Sequence, residues 1–199
     1  MTGAPVAVIT GAASGIGAAS ARLLRASGWR TAGLDLNDSD TDLPVRLDVA
    51  DAGRVRAAVD AVADRFGRLD LVVTAAGYYE EGIDVADISR AQWDRMLAVI
   101  LGGTVNAFQA ALPYLLRRGT GGLIAISSEL ALAGSATDLH YVAAKGAVLG
   151  LVKSLALEVA GTGIRSTPSP PVRRTPRCSR RARCGASVAT WRPCRCAAW

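Results

Sequence analysis

Cysteine is absent from residues 1–165, and acidic residues are absent from residues 166–199. The first absence argues against a disulfide-stabilised secreted protein, and the N-terminal residues lack the charged segment, long apolar stretch and cleavage site of a signal peptide. No apolar run approaches the ~20 residues that cross a bilayer. We therefore expect a cytoplasmic protein without a membrane partner.

The net charge of +6 belongs to the C-terminal tail. Residues 1–165 hold 15 basic and 17 acidic side chains, a net charge of −2, whereas residues 166–199 hold eight arginines and all four cysteines. A basic isoelectric point that reflects the tail alone does not indicate nucleic-acid binding by the body. We predict one domain over residues 1–165 and an Arg/Pro/Cys-rich tail over 166–199 that is disordered or out of frame.

Short apolar runs alternate with segments of helical period throughout the body. This alternation predicts an α/β fold, a doubly wound parallel sheet flanked by helices on both faces. The two longest predicted helices cover 93–118, interrupted by Pro113, and 141–160. The predicted strands are 6–9, 30–34, 45–47, 69–73 and 123–126. The predicted buried stripes of the first two helices are Ile16, Ala19, Leu23 and Leu24, ended by Gly28, and Val55, Val59, Val62 and Phe66, ended by Gly67.

A glycine run, Thr-Gly-Ala-Ala-Ser-Gly-Ile-Gly, occupies residues 10–17 between the first predicted strand and the first predicted helix. Backbone N–H groups and a helix N-terminus at this position can face a pyrophosphate. Gly11 would permit the turn, Gly15 the close approach of the phosphates, and Gly17 the packing of helix against strand. A glycine run alone is weak evidence, because tight turns into helices also use glycine.

Asp35 ends the second predicted strand, about twenty residues beyond the glycine run. An acid at this position can accept hydrogen bonds from the adenosine ribose and repel a 2′-phosphate, which favours NAD over NADP. The alternative is a solvated loop acid, because Asn37, Asp38 and Asp40 follow closely.

Tyr141 and Lys145 lie four residues apart at the start of a predicted helix, and Ser128 follows the last predicted strand. Residues at i and i+4 share a helix face, so the ammonium can lie near the phenol and favour its ionised form. Each residue alone has a structural explanation. Together, behind a dinucleotide motif, the three predict a proton-transfer site beside a bound cofactor.

These motifs, in this order and spacing, resemble the short-chain dehydrogenase/reductase family over about residues 4–165. Residues 10–17 are similar to the family's TGxxxGxG, Asp48-Val49 to its adenine-contacting pair, residues 74–77 to NNAG, and Tyr141 and Lys145 to YxxxK. The resemblance implies a Rossmann-like fold and hydride transfer between nicotinamide and an alcohol or ketone. It also implies dimers or tetramers formed through the two long helices and a C-terminal strand interface, of which we expect only the helix contribution in this chain. The implied cofactor-binding residues are Gly11, Ser14, Gly15, Ile16, Gly17, Asp35, Asp48, Val49, Ala76, Gly77, Tyr141 and Lys145.

The same resemblance implies the catalytic roles. Tyr141 would be the general acid or base, Lys145 would also hold the nicotinamide ribose, and Ser128 would bind the substrate oxygen. We expect no metal site. Two residues depart from the family pattern: Ile100 stands where the family has an asparagine of the proton relay, and Thr74 replaces the first asparagine of NNAG. We expect a slower relay, because isoleucine has no polar atom.

The largest departure begins after Arg165, where the family continues with a sixth strand and the loop that closes over nicotinamide. Prolines in this stretch predict that no central strand forms, so we expect the sheet to lack its last strands. Codons compatible with residues 166–178 read VNAVSPGAADTPM after one G is restored in front of them, a sequence that suits the family. We therefore hypothesise a frameshift after Arg165.

Two alternative functions remain. One is a nucleotide-binding protein without turnover, suggested by Ile100 and the altered C-terminal region. The other is a nucleic-acid-binding protein whose basic tail contacts phosphates. The four tail cysteines lack paired CxxC spacing, which makes a zinc site there a weak interpretation.

Overall fold

The computed structural model describes residues 3–169, which form one parallel six-stranded sheet with helices on both faces. The strand order is β3-β2-β1-β4-β5-β6, and every neighbouring pair is parallel. The predicted doubly wound α/β fold is thus confirmed. The strands are β1 Val6–Thr10, β2 Arg30–Asp35, β3 Leu43–Arg46, β4 Leu71–Thr74, β5 Gly121–Ile126 and β6 Ile164–Ser169.

Six α-helices connect or flank these strands in the described part of the chain. Strand β1 is buried along its whole length and lies between β2 and β4, where the strand order reverses. Ligands of doubly wound sheets bind outside the carboxyl ends of the strands at this reversal. The helices are α1 Gly15–Ala26, α2 Ala52–Phe66, α3 Arg90–Leu97, α4 Gly103–Arg118, α5 Leu130–Ala133 and α6 Leu139–Glu158, with a π-helical turn, Ala98–Gly102, between α3 and α4.

Helix α2 buries the predicted stripe, but α1 does not. Val55, Val59 and Val62 are fully buried, and Gly67 ends α2 in the left-handed conformation with φ of 71°. In α1 the buried face is instead formed by small residues, since Gly17 and Ala21 pack against the sheet. The predicted α1 stripe is therefore only partly right: Leu24 packs against the core, whereas Ile16, Ala19 and Leu23 lie on the exposed side.

Helix α4 continues through Pro113 without a break, so the predicted interruption is misplaced. The irregularity lies earlier, at the π-helical turn Ala98–Gly102. The combined helical stretch Arg90–Arg118 has the length and mean hydropathy, 1.5, of a membrane span, yet half of its apolar window is buried inside the protein. Such burial is typical of a core helix of a globular fold.

A sixth strand is present, which corrects the expectation that the sheet ends before it. Residues 164–169 pair with β5 in parallel, Leu123 beside Ser166 and Ala125 beside Pro168. The carbonyl of Ser169 accepts a hydrogen bond from the N–H of Ser127. Because alternate residues of a strand bond to the same neighbour, the odd-numbered residues of β6 bond to β5. Pro168 therefore turns its nitrogen to the outer edge, where the missing donor leaves the ladder intact.

The domain boundary predicted at residue 165 thus falls inside β6. Most of the predicted tail, residues 170–199, lies outside the described residues, including its arginines and cysteines.

Candidate active site

A cleft of about 500 Å³ opens at the carboxyl ends of the strands, where the strand order reverses. Its wall combines the glycine loop with the ends of β2 and β4 and the segment after β3, so it gathers most of the predicted cofactor-binding residues. The predicted residues in the wall are Gly11, Ser14, Gly15, Ile16, Asp35, Asp48, Val49, Ala76 and Gly77.

The glycine loop has the geometry of an anion cradle. A Cβ on Gly11, whose φ is 69°, would lie 2.7 Å from the nitrogen of Ala76, and a Cβ on Gly17 would collide with the carbonyl oxygen of Gly11. Gly15 has φ of 52° and open space where a side chain would stand. Helix α1 begins after Ser14 without a side-chain cap and without an acidic residue in its first turn. Its N-terminal N–H groups and positive dipole end therefore suit a pyrophosphate.

Thr10, whose side chain is buried, ties the glycine loop to the segment after β4. Its Oγ1 accepts hydrogen bonds of 3.2 Å from the N–H groups of Ala75 and Ala76. This bridge fixes the two walls of the cleft relative to each other.

Asp35 projects from the end of β2 into the cleft. Its Oδ2 accepts from the N–H of Ala13 at 3.0 Å and its Oδ1 from the N–H of Asn37 at 3.0 Å. The carboxylate is therefore fixed by the glycine loop rather than solvated freely, and it keeps further lone pairs for ribose hydroxyls.

Asp48 is held by a residue that the sequence motifs did not identify. Its Oδ2 forms an ion pair of 2.7 Å with Arg95 of α3, and its Oδ1 accepts from the N–H of Ala50. Although partial burial opposes the effect, these donors hold the pKa of Asp48 below its usual value. Arg95 also lines the cleft, so a cation lies beside the predicted adenine region. This ion pair has no signature in the sequence, because 47 positions separate the two residues.

A smaller cavity of about 250 Å³ continues from the cleft and contains Tyr141 and Lys145. The two spaces share wall residues, among them Gly77 and Tyr78. The Nζ of Lys145 lies 5.9 Å from the centre of the Tyr141 ring. The structure therefore brings the predicted Tyr-Lys pair together in a cavity that adjoins the cleft.

Lys145 is buried, and its Nζ donates a hydrogen bond of 2.7 Å to the carbonyl of Ile126. Burial lowers the pKa of Lys145 to about 8. A Cβ on Gly77 would lie 3.4 Å from Cγ1 of Ile100 and 3.8 Å from Nζ of Lys145, so the apolar Ile100 and the lysine amine face the same small space. The amine thus has an apolar neighbour where the family pattern has an amide.

The π-helical turn places Ile100 in this position. The carbonyl of Ile100 accepts a hydrogen bond of 2.7 Å from the hydroxyl of Thr104, which also lies 3.3 Å from Oγ1 of Thr74. Single π-helical turns occur frequently at functional sites. Thr74, the other departure from the family pattern, therefore helps to hold the turn.

Two adjacent serines follow β5 and have different environments. The hydroxyl of Ser127 donates to the carbonyl of Lys145 at 3.0 Å, and Ser127 lies in the wall of the smaller cavity. Ser128 is buried beside α5, where its Oγ accepts from the N–H of Leu130 at 3.2 Å. Because Ser128 accepts this bond, its own proton remains available to a substrate oxygen.

Three side-chain contacts at or near Tyr141 are not apparent from the sequence. Tyr79 meets the Tyr141 ring edge-on, with ring centres 4.9 Å apart, and its hydroxyl donates to Asp138. His140 is fully buried, with Nε2 3.2 Å from Glu80. None of these contacts has a spacing signature, because each joins a loop after β4 to the start of α6 across more than fifty residues.

Comparisons of this chain with a family model, with related sequences and with solved structures all indicate the same family. The family model described as short chain dehydrogenase matches residues 5–172. D-threitol dehydrogenase of Mycolicibacterium smegmatis is 39% identical over 181 residues, covering 84% of this chain and 69% of that protein. A 3-oxoacyl-[acyl-carrier-protein] reductase of Thermotoga maritima is 31% identical, covering 80% of this chain and 70% of its own length.

A solved structure agrees with these sequence matches. Ligand-free aldohexose dehydrogenase of Thermoplasma acidophilum superimposes with a TM-score of 0.80 at 30% identity, over 84% of this chain and 66% of that one. This chain thus spans about two thirds of the length of the proteins that it matches. It belongs to the short-chain dehydrogenase/reductase family of NAD(P)-dependent oxidoreductases.

Proposed function

We propose that this chain interconverts a secondary alcohol and a ketone, with Tyr141 as general acid or base. The observation that carries the proposal is the cavity of Tyr141 and Lys145, which continues directly from the cleft of the glycine loop. A nicotinamide dinucleotide bound along the cleft would supply the hydride acceptor or donor. A substrate in the cavity would then lie between Tyr141 and that group.

The proposed roles follow from the chemistry of each side chain. In the oxidation direction the phenolate of Tyr141 accepts the hydroxyl proton of the alcohol, and in the reduction direction the phenol returns a proton to the ketone oxygen. Lys145 favours the phenolate electrostatically and holds a ribose hydroxyl through Nζ. Ser128 donates a hydrogen bond to the same substrate oxygen, orienting the carbonyl or carbinol carbon.

We further propose that NAD is preferred over NADP. The carboxylate of Asp35 is fixed by the N–H groups of Ala13 and Asn37 at the end of β2. A 2′-phosphate at this position would meet an immobilised negative charge, whereas ribose hydroxyls can donate to it.

The test has two stages on the full chain. Titration with NADH, followed by fluorescence quenching, measures binding, and a screen of secondary alcohols with NAD and of ketones with NADH measures turnover. Turnover that Tyr141→Phe abolishes while NADH binding persists would support the proposal. Turnover that survives Tyr141→Phe would contradict it.

A second candidate is nucleotide binding without turnover, and one specific observation favours it. The amine of Lys145 and the side chain of Ile100 both border the space beside Gly77, and isoleucine cannot supply the polar partner that the relay needs. NADH binding without turnover, persisting after Ile100→Asn and after repair of the reading frame, would favour this candidate over the enzyme.

The frameshift after Arg165 also remains our proposal, and Ser166 supports it. Ser166 is the first residue beyond the suggested junction, and its Oγ is buried without a hydrogen-bond partner among the described residues. The restored frame reads valine at this position, which would satisfy the apolar environment. Nucleotide sequence across codons 165 and 166 from independent reads tests the idea, and an uninterrupted frame encoding this same tail would overturn it.

We place the protein in the cytoplasm, as a homo-oligomer. Family members are generally soluble and often oligomeric, and α4 and α6 leave a partly apolar groove of about 390 Å³ between them. A second copy packed on these two helices would cover partly exposed residues such as Leu112 and Leu155. Sedimentation velocity of the wild type and of Leu155→Glu tests this assignment.

A further inference from the structure

Asp138 is the only described non-glycine residue with a positive φ, at φ 62° and ψ 37°. It precedes α6 at the N-cap position, where an aspartate ordinarily accepts from the first N–H groups of the helix. Here the side chain makes no such bond. The left-handed backbone costs free energy for a residue with a Cβ, so the surroundings must hold it in place.

The carboxylate of Asp138 turns instead towards the loop after β4. Its Oδ1 accepts from the N–H of Ile83 at 2.9 Å, and its Oδ2 accepts from the hydroxyls of Tyr79 and Thr137, both at 2.7 Å. The N–H of Asp138 donates in return to the carbonyl of Ile83. The side chain is fully buried, so these donors replace water for a carboxylate that would otherwise be costly to bury.

Tyr79 and Asp138 favour complementary protonation states, a protonated phenol and an ionised carboxylate. The donors around Asp138 lower its pKa against the opposing effect of burial, which keeps the carboxylate ionised. The same hydrogen bond, with burial, raises the pKa of Tyr79 to about 12, which keeps the phenol protonated. A charge-assisted bond of 2.7 Å between these two forms is among the stronger hydrogen bonds of proteins.

The hydrogen bond between Tyr79 and Asp138 matters for Tyr141, because it holds the ring that contacts Tyr141. The ring of Tyr79 meets the ring of Tyr141 edge-on, at 70° between planes and 4.9 Å between centres, and both rings line the catalytic cavity. Such aromatic pairs contribute about 0.5–1.5 kcal/mol beyond area burial. Tyr79 nevertheless remains 46% exposed, and its described side-chain contacts among residues 3–169 are the hydrogen bond to Asp138 and the ring of Tyr141.

We propose that Tyr79, locked by Asp138, is a positioning residue that holds the phenol of Tyr141 in line with the substrate oxygen. The inference rests on the proposed function, because positioning matters only if Tyr141 transfers the proton. It goes beyond that function in assigning a role to a loop residue and to a strained aspartate outside the Ser-Tyr-Lys set. The residue at 79 thereby also forms one fixed wall of the substrate cavity.

Thr137 supplies a matched control. Tyr79→Phe and Thr137→Val each remove one hydroxyl donor of the same length to the same oxygen of Asp138. Of these two side chains, that of Tyr79 has the described contact with the Tyr141 ring, so the two variants separate positioning of Tyr141 from support of the aspartate. Asp138→Asn keeps the shape, tolerates the left-handed backbone, and removes the charge.

The kinetic test measures kcat, KM and the pH profile of the three variants. We expect Tyr79→Phe and Asp138→Asn each to lower kcat about tenfold, with the double variant no worse than either alone. Thr137→Val should change kcat less than about twofold. Equal losses in Tyr79→Phe and Thr137→Val, in proportion to lost thermal stability, would overturn the proposal.

A second readout does not need turnover. The chain has four tyrosines, and the ring signals of Tyr141 can be assigned by selective labelling together with Tyr141→Phe. The ring-current displacement of those signals should shrink in Tyr79→Phe and stay in Thr137→Val. If that pattern appears while the wild type lacks turnover, the proposed function fails and the positioning contact stands. If the Tyr141 signals are identical in all variants, the positioning proposal fails whatever the activity.

Discussion

The Nζ of Lys145 donates a hydrogen bond of 2.7 Å to the carbonyl oxygen of Ile126 from a buried position. No carboxylate pairs with this amine among the described residues. Burial therefore destabilises the charged form and lowers the pKa of Lys145 to about 8. Anything that brings hydrogen-bond acceptors to Nζ should raise that pKa again.

NADH binding should accordingly take up protons near pH 8. Ribose hydroxyls beside Nζ raise the pKa of Lys145 in the complex, so the complex holds more protons than the free chain, and affinity falls as pH rises above 8. At pH 8 the uptake should approach about half a proton. Titration calorimetry in buffers of different ionisation enthalpy measures it.

The control ligand is 5′-AMP, which fills the adenine half of the cleft and lacks the nicotinamide ribose. It should bind without this uptake, and Lys153→Met, at an exposed lysine of the same helix, should behave as the wild type. Equal uptake with AMP and NADH would contradict the assignment to Lys145.

Replacing Ile100 with asparagine should speed turnover. The amide would give the amine of Lys145 a polar neighbour in the space that both share at Gly77, which raises the pKa of Lys145 and restores a path for protons. We expect a severalfold higher kcat at constant KM. Ile100→Val, which stays apolar, should leave kcat near the wild-type value, and a rise in both variants would point to packing instead.

Asp35→Ala should shift cofactor preference towards NADP. Removing the fixed carboxylate removes the repulsion of a 2′-phosphate and the acceptor for ribose hydroxyls, so NADPH should bind more tightly and NADH more weakly. Quenching titrations with both cofactors measure the ratio. Asp38→Ala changes the net charge by the same amount at an exposed position. An equal shift in cofactor preference there would indicate only long-range electrostatics.

Ser166→Val should stabilise the fold. The hydroxyl of Ser166 is buried without a partner among residues 3–169, and an unsatisfied group of this kind costs about 1–3 kcal/mol. We expect the free energy of unfolding to rise by about 1 kcal/mol in urea denaturation. Thr167→Val, on the exposed side of the same strand, should change it little, and an equal gain there would reflect strand propensity alone.

The sequence predicted the sheet and the glycine loop because both depend on local signals. The alternation of short apolar runs with helical segments, and the position of Gly11 and Gly17 between them, sufficed to place the cleft. The Tyr-Lys pair followed from helical spacing. Catalytic roles for Ser128, Tyr141 and Lys145 stay predictions, since geometry alone does not measure turnover.

The sequence failed where burial or pairing depends on distant residues. The stripe through Ile16 and Leu23 was wrong because the buried face of α1 packs through Gly17 and Ala21, whose small size a hydrophobicity pattern overlooks. The ion pair of Arg95 with Asp48 follows from tertiary packing. The missing-strand prediction was wrong because proline is excluded from ladders only where its nitrogen faces a partner strand.

Pro168 has a further consequence for the behaviour of the chain. In residues 3–169 no strand pairs with the outer side of β6, where unpaired N–H and C=O groups form a template for a strand from another molecule. The nitrogen of Pro168 removes the last outward-facing donor of β6, and its ring occupies the space that an incoming backbone would need. The proline that predicted the absence of a sixth strand therefore hinders the addition of a strand from another molecule to that strand.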